Sequence, residues 1–409
     1  MTTAYVNKKS FYTLFLLCQV ISFGFAQITM AETSPSSVQL NLPAGFQVNI
    51  FASLAKHTGM PRMLAFDSQG NLYAAIMNAG KVVMLPDVDK DGVAEAPIVV
   101  ADNLNNPNSV AFIDDNTLLI GNKDAILKLV KQAGKWSAPS TFIGHLPSNG
   151  NHNLKTVKVS TMGDIFVNVG STCNVCDEHN PLRATILSYT TNGMPWRYAN
   201  HVKSNKNPIY AKGLRNSQSF AWHPKTGAMY ATNNGSDMRA SNKNGVVNDD
   251  IPPEHLNRIE NGQHYGWPYC WGEGQQKLVQ DPNFLAETAD FCQTATPPAI
   301  TFDSHSTPIG ITFLNKTNWP VNYQTNAIVA LHGSWNRKIP SGYKLVMVKF
   351  EGDKPVKVED FATGWLTNKT DDTSAWGRPV DVIVGPDGAL YVSDDRAGYI
   401  YRISYQPPK

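Results

Sequence analysis

Short runs of apolar residues recur along the chain in pairs, each pair split by a turn rich in Asp, Gly or Asn. Met63-Leu64-Ala65-Phe66 leads to Asn71-Leu72-Tyr73-Ala74, and Val110-Ala111-Phe112 leads to Thr117-Leu118-Leu119-Ile120. Thr156-Val157-Lys158-Val159 and Asp164-Ile165-Phe166-Val167 form a third pair, and Ser219-Phe220-Ala221-Trp222 and Ala228-Met229-Tyr230-Ala231 a fourth. The fifth joins Gly310-Ile311-Thr312-Phe313 to Ala327-Ile328-Val329-Ala330, and the sixth joins Val382-Ile383-Val384 to Ala389-Leu390-Tyr391-Val392. Period-two alternation around a tight turn predicts a β-hairpin for each pair. Further strand patterns follow, such as Lys81-Val82-Val83-Met84 and Gly398-Tyr399-Ile400-Tyr401-Arg402-Ile403. Six copies of three or four strands predict an all-β chain folded as a six-bladed β-propeller. Gly45-Phe46-Gln47-Val48-Asn49-Ile50 is expected to pair with the last blade and close the ring.

The first three copies lie about 46 residues apart, a repeat length suited to a blade. Later intervals are longer, and the extra length falls in loops 232–300 and 314–326. Long loops on one face of a rigid ring are where binding and catalysis are usually built. Helical periodicity is scarce, and no linker divides the chain. The N-terminus has the form of a secretory signal: Lys8 and Lys9 precede an apolar run from Phe11 to Phe25, with small residues at Ala26 and Ala31. The expected division is a signal peptide over 1–31 and a single propeller domain over 32–409. The apolar run is shorter than the roughly 20 residues a membrane span needs. The reading is a periplasmic or secreted protein with no membrane span.

The 409 residues carry a net charge of only +2, which argues against nucleic acid or anionic lipid as partners. Beyond the signal stand four cysteines, Cys173, Cys176, Cys270 and Cys292, an even count that favours disulfides in an exported chain. Cys173-Asn174-Val175-Cys176 is followed by Asp177 rather than the His of a c-type haem site, and further zinc ligands are not evident, so a local disulfide is expected.

The chemistry-bearing segments lie on loops. Gly213-Leu214-Arg215-Asn216-Ser217-Gln218 runs into a strand, followed by Asn233-Asn234-Gly235-Ser236-Asp237, Pro253-Glu254-His255-Leu256-Asn257-Arg258 and His264-Tyr265-Gly266-Trp267-Pro268. They bring a fixed cation, an amide, backbone carbonyls and a carboxylate to neighbouring loops, the set needed to bind an anionic cofactor through a divalent metal. In order and wording these segments resemble the pyrroloquinoline-quinone-dependent glucose/sorbosone dehydrogenases, over about Pro43 to Ile403.

The resemblance implies that the Arg215-Asn216 pair contacts the quinone, where the residues alone allow a surface turn. It implies that His152, in Asn149-Gly150-Asn151-His152-Asn153, is the general base; alone it reads as a loop His bonded to backbone. It assigns calcium to the carbonyls of Gly235 and Ser236 and the carboxylate of Glu254, with Asp237, Asp249 and Asp250 weaker candidates. A polar loop with a helix start at Pro252-Pro253-Glu254 is the other reading. Tyr265 and Trp267 are expected to pack the loop. Arg337, or less favourably Lys344, and Arg378 are placed on the cofactor's carboxylates. Arg62 completes a ring of cations that would repel one another without an anion between them. One position departs from the pattern. Ser171, in Val169-Gly170-Ser171-Thr172-Cys173, stands where the glucose enzymes have the Asp that orients the base, and this version looks more like the sorbosone branch. Asp87-Val88-Asp89-Lys90-Asp91-Gly92 copies the start of an EF-hand loop but lacks its closing Glu, so turn chemistry is expected there.

The implied activity is hydride transfer from a sugar, or a sugar-derived alcohol or aldehyde hydrate, to pyrroloquinoline quinone. Electrons then pass to an external acceptor, a quinone or cytochrome. A calcium-dependent lactonase and a non-catalytic propeller binding a glycan or protein are the alternatives.

Overall fold

The computed structural model describes residues 39–54, 59–195, 207–274, 278–284 and 288–407. The expected signal peptide and its cleavage after Ala31 lie outside these residues. Six antiparallel sheets form the blades of a β-propeller. Blade 1 comprises Pro61–Phe66, Leu72–Ile76, Lys81–Leu85 and Ile98–Ala101. Blade 2 comprises Ser109–Asp114, Thr117–Gly121, Ile126–Gln132 and Ser140–Ile143, with Lys135–Trp136 paired beside the third strand. Val157–Val159, Ile165–Val169, Thr185–Tyr189 and Ile209–Lys212 form blade 3, and Phe220–Trp222, Met229–Asn233, Glu254–Ile259 and Ile300–Phe302 form blade 4. Pro308–Phe313, Ala327–Leu331, Lys344–Glu351 and Lys354–Ala362 form blade 5. Blade 6 takes Pro379–Val384, Leu390–Asp394 and Tyr399–Tyr405, and its outer strand is Phe46–Ser53 from the start of the described chain. Phe46 pairs with Tyr405 and Ser53 with Tyr399, so the ring is closed as the sequence predicts.

The second strand of each blade explains why the apolar runs are continuous rather than alternating. Leu72–Ile76, Ile165–Val169, Met229–Asn233, Ala327–Leu331 and Leu390–Asp394 are buried at every position, because blades cover both faces. Successive side chains point to opposite faces. Leu72, Ala74 and Ile76 therefore pack with Tyr391 and Ile400 of blade 6, while Tyr73 and Ala75 pack with Val110 and Leu118 of blade 2. The core is thus a circle of wedges between blades. Between blades 5 and 6, Phe46, Trp319, Tyr323 and Phe361 pack edge to face and stacked with centroids 4.7–6.5 Å apart. The outermost strands face solvent in part: in Lys354–Ala362, Lys354, Val356, Lys357 and Asp360 are exposed, while Pro355, Phe361 and Ala362 are buried.

Segment 232–300 is not only a loop. It contains the third strand of blade 4, Glu254–Ile259, and runs up to the fourth, Ile300–Phe302. Glu254 opens a strand rather than a helix, because Glu254–Leu256 is hydrogen-bonded to Phe302, Thr301 and Ile300. His255 to Ile259 pairs on the other side with Asn233 back to Met229. The same segment holds the short helix Thr288–Thr294, which carries Cys292. Both expected disulfides form, Cys173–Cys176 and Cys270–Cys292. Among the described residues no helix is long and apolar enough to cross a membrane. The Cys270–Cys292 bridge spans a sequence separation of 22 and the other a separation of 3. Cys270→Ser/Cys292→Ser should therefore lower unfolding free energy by about 3 kcal/mol in denaturant melts, and Cys173→Ser/Cys176→Ser by less.

Candidate active site

Each blade's first strand begins, and its second strand ends, at the same end of the ring. The residues flanking those points therefore gather around one opening. Arg62, Asn108, Arg215, Asn216, Gln218 and Arg378 come from the first-strand side, and Ser171, Asn234, Asp237, His332 and Asp395 from the second-strand side. Arg62 is 4% exposed and donates to Asp395 Oδ2 at 2.7 Å, Asn108 Oδ1 at 3.1 Å and Gln218 Oε1 at 3.1 Å. Gln218 Nε2 and Asn216 Nδ2 both donate to Asn234 Oδ1, at 3.0 and 3.1 Å. Arg215, also 4% exposed, donates to Asp237 Oδ2 at 2.7 Å, to Asn174 O at 3.0 Å and to Asn174 Oδ1 at 2.9 Å. Asp237 Oδ1 accepts from Asn336 Nδ2 at 3.0 Å and lies 3.2 Å from His305 Nδ1. Burial alone would lift the Asp237 carboxyl, but His305, Arg215 and Asn336 outweigh it and hold the pKa at about 2.

A second cluster adjoins the first through Arg62. Asp395 Oδ1 lies 2.8 Å from His332 Nε2. Burial opposes the Asp395 charge, yet His332 and Arg62 hold the carboxyl below the ordinary carboxylate range. Arg378 donates to the carbonyls of His332 and Gly333 and lies over the Tyr343 ring at 5.3 Å. It has no carboxylate within ion-pair distance among the described residues. The expected ring of four bare cations is therefore revised: Arg62, Arg215 and Arg337 each already hold a carboxylate. A buried guanidinium must be paired to be tolerated, and the chain supplies the partners itself.

His152 is half-buried beside this network. Its Nδ1 lies 2.8 Å from Ser171 Oγ, and its Nε2 has no hydrogen-bond partner among the described residues. Burial, then the positive charge of Arg215, lower its pKa to about 3, so the ring is neutral at any physiological pH. Gly170 makes the approach possible: a Cβ there would sit 2.5 Å from His152 Cβ and 2.8 Å from His152 O.

Glu254 is 3% exposed and, among the described residues, has no cation within ion-pair distance. Its carboxylate accepts from the backbone N–H of Gly235 and, at 3.5 Å, of Thr307. Burial raises its pKa to about 7. The carbonyls of Gly235 and Ser236 accept no hydrogen bond from described residues. A buried carboxylate without a counter-cation, with two bare carbonyls on the adjoining loop, is a donor set suited to a hard divalent cation such as calcium. Asp237 belongs to Arg215 instead of to this set.

Arg337 is tied to Asp250 Oδ1 at 2.5 Å and to Ser304 O at 3.0 Å, while its neighbour Asn336 reaches Asp237. Asp249 accepts from Lys338 N at 2.8 Å. Lys344 opens the third strand of blade 5 opposite Leu331 and pairs with Asp360 at 2.6 Å. Tyr265 and Trp267 are buried, and Trp267 Nε1 donates to Asn174 O at 3.1 Å. Asp87, Asp89 and Asp91 do cluster, with Asp89 and Asp91 accepting from backbone N–H groups two residues on, as turn residues do. Cavities of about 300 and 330 Å³ lie elsewhere, lined by residues such as Trp222 and Arg258, and Tyr391 and Arg402.

A family model described as TrAA12-like matches residues 40–406. This chain belongs to the TrAA12-like family. The family read from the loop motifs and the family matched agree. A pyrroloquinoline quinone-dependent pyranose dehydrogenase of Coprinopsis cinerea is 25% identical over 409 residues, covering 89% of this chain and 54% of that protein. The TrAA12-like chain thus spans about half the length of that relative. The solved holo form of the pyranose dehydrogenase PQQ domain from the same fungus superposes with a TM-score of 0.75, at 22% identity over 90% of this chain and 97% of the domain. A calcium structure of a Trichoderma reesei family AA12 protein gives a TM-score of 0.76 at 20% identity, covering 91% of this chain and all of that one. These are pyranose-type and AA12 proteins, and none carries the sorbosone label that the Ser-Thr-Cys-Asn-Val-Cys segment suggested.

Several site residues of this TrAA12-like chain escaped sequence reading. Asn174, Gln218 and Asn234 lie inside the quoted segments without a role assigned there, and His332 and Asp395 have none either. Their signal is positional, since each blade repeats the same two points where a strand meets the opening. Glu254 supplies a test of the charge arrangement. Its pKa of about 7 lies above its ordinary 4.5. Between those values the folded chain holds the extra proton, and stability falls as pH rises through that window. In chelator-treated buffer at pH 8, Glu254→Gln should melt a few degrees above the parent, and the gap should close near pH 5. Equal melting at pH 8 would mean that the carboxylate already has its counter-charge.

Proposed function

We propose that the chain is a pyrroloquinoline-quinone-dependent oxidoreductase acting on a sugar, or on a sugar-derived alcohol or aldehyde hydrate. The observation that carries the reading is a single juxtaposition. A neutral His152 with a free ring nitrogen stands beside the buried Arg215-Asn216 pair, and the adjoining loop carries a buried, uncompensated Glu254. The family and the names of its relatives point the same way. Arg215, Asn216, Arg62 and Arg378 would hold the quinone, with Arg337 at the rim. Arg378 fits an anionic group well, because among the described residues no carboxylate pairs with it directly and its hydrogen bonds go to carbonyls. Gly235, Ser236 and Glu254 would hold calcium.

When bound, the quinone supplies the two-electron acceptor and the metal supplies Lewis acidity. The chain's own residues do the rest. His152 accepts the substrate's hydroxyl proton. Arg215, already oriented by Asp237 and Asn174, offers a fixed positive charge to developing negative charge and needs no reorganisation to do so. Electrons then leave to a separate acceptor, a quinone or cytochrome. The two disulfides support an oxidising compartment, periplasmic or extracellular.

One observation favours a second reading. Because Asp237 and Asp395 neutralise Arg215 and Arg62, the opening is less cationic than a large anion would prefer. A calcium-dependent lactonase needs the metal set alone. The deciding experiment is absorbance titration of the calcium-loaded protein with pyrroloquinoline quinone, followed by sugars and an artificial electron acceptor. Binding should be saturable and weakened in Arg215→Ala. His152→Ala should bind the cofactor but lose roughly 10²–10⁴-fold in turnover. Absence of binding at micromolar cofactor, with hydrolysis of lactones, would replace the proposal with the second reading.

A further inference from the structure

We infer that Ser171 is the positioning residue for His152: it fixes the ring with the proton on Nδ1 and the lone pair on Nε2, and the Cys173–Cys176 disulfide loop holds Ser171 in place. Only the kinetic consequence rests on the dehydrogenase reading.

A serine hydroxyl has one proton to donate. Ser171 Oγ donates it to Cys173 O at 2.7 Å. What it turns toward His152 Nδ1, 2.8 Å away, is therefore a lone pair, and that contact is a hydrogen bond only if Nδ1 carries the hydrogen. The neutral imidazole then leaves Nε2 as its sole acceptor. Apart from the Ser171 backbone, which also interacts with the ring, no neighbour sets a competing tautomer, since Nε2 has no hydrogen-bond partner among the described residues. The charged groups around the ring are Arg215, Asp237 and Arg183, the last donating to Gly170 O at 3.2 Å.

Ser171 has no freedom to turn away. It is fully buried, its N–H donates to Arg215 O at 2.8 Å, and its carbonyl accepts from His152 N at 3.2 Å. One residue on, Thr172 donates through both N–H and hydroxyl to Glu178. The acceptor of the Ser171 proton is the carbonyl of Cys173, a residue covalently tied to Cys176. Inside that four-residue loop, Asn174 O accepts from Arg215 Nε and Trp267 Nε1, and Asn174 Oδ1 accepts from Arg215 Nη2 and Asp237 N. One small covalent loop therefore orients the base on one side and the buried cation on the other. Positions with Ser where a carboxylate is expected thus keep the geometric role of the acid without its charge.

The test is long-range ¹H–¹⁵N correlation on cofactor-free protein labelled with ¹⁵N-histidine, with His152→Gln to identify the signal. His152 should show a protonated Nδ1 and a bare Nε2. Ser171→Ala should lose that pattern, Ser171→Thr should keep it, and Cys173→Ser/Cys176→Ser should weaken it. In the loaded enzyme Ser171→Ala should lower kcat roughly tenfold with little change in KM, with recovery in Ser171→Thr. A proton on Nε2 in the parent, or an unchanged pattern in Ser171→Ala, would overturn the inference. The expected tautomer in a protein that oxidises no sugar would support the positioning role while removing the dehydrogenase reading.

Discussion

Ring closure is the constraint on which the rest of this molecule depends. The strand Phe46–Ser53 joins the end of the chain at Tyr399–Tyr405, and seven paired positions hold it there. With the ring closed, every second strand lies between two neighbours, and its side chains can be apolar on both faces. An open ring would leave one such strand with a bare hydrophobic face and an unpaired edge, which is costly and prone to association. Closure also fixes where the blades meet the axis. Arg62 of blade 1 and Asp395, just past the second strand of blade 6, are separated by 333 residues, yet they form a 2.7 Å ion pair. The opening is thus held by the same closure that completes the core.

At that opening the energetic problem is charge. Two guanidinium groups 4% exposed would be untenable alone, and each is matched by a carboxylate and by neutral acceptors aimed at its remaining N–H groups. The pairing leaves both arginines rigid, which is worth more to a binding site than a freely rotating cation. Glu254 shows the opposite condition. It is as buried as the arginines, but its hydrogen bonds come from backbone N–H groups, and Arg215 and His305 act on it only from beyond ion-pair distance. The asymmetry between paired cations and a carboxylate with no ion-pair partner among the described residues is what supports the proposal of a metal at Glu254.

The sequence made the hairpins legible because a propeller repeats them. Paired apolar runs around tight turns located all six inner pairs to within a few residues, and the closing strand stood out because it had no partner nearby in sequence. Blade 4 was harder, since its third and fourth strands are separated by the segment that carries Cys270, Cys292 and a helix. The short strand Ile300–Phe302 gives too little alternation to read. Arg215, Asn216 and His152 were visible as motif residues. Their partners were not, because pairing is a property of three-dimensional neighbourhood: nothing near Arg62 in the chain indicates Asp395, and Asp237 reads equally well as a metal ligand. Arg337 and Asn336 illustrate the same limit. They are adjacent, and only the folded loop decides that the amide reaches Asp237 while the guanidinium goes to Asp250.

On the proposed reading, Ser171 in the place of an orienting carboxylate has a further chemical consequence. A carboxylate beside imidazole both aligns the ring and stabilises its protonated form, whereas a hydroxyl aligns it and adds no charge. His152 is also pressed by burial and by Arg215 toward the neutral state, at a pKa of about 3. Such a ring is always available as an acceptor but is a weak one, and a base works best when its pKa lies near the working pH. The missing basicity has to come from negative charge close to the ring, since an anion within a few ångströms favours the imidazolium. Asp237 supplies some, but it is shared with Arg215 and His305. On the proposed reading, an anionic occupant of the opening would satisfy Arg378 and strengthen His152 as a base in the same act.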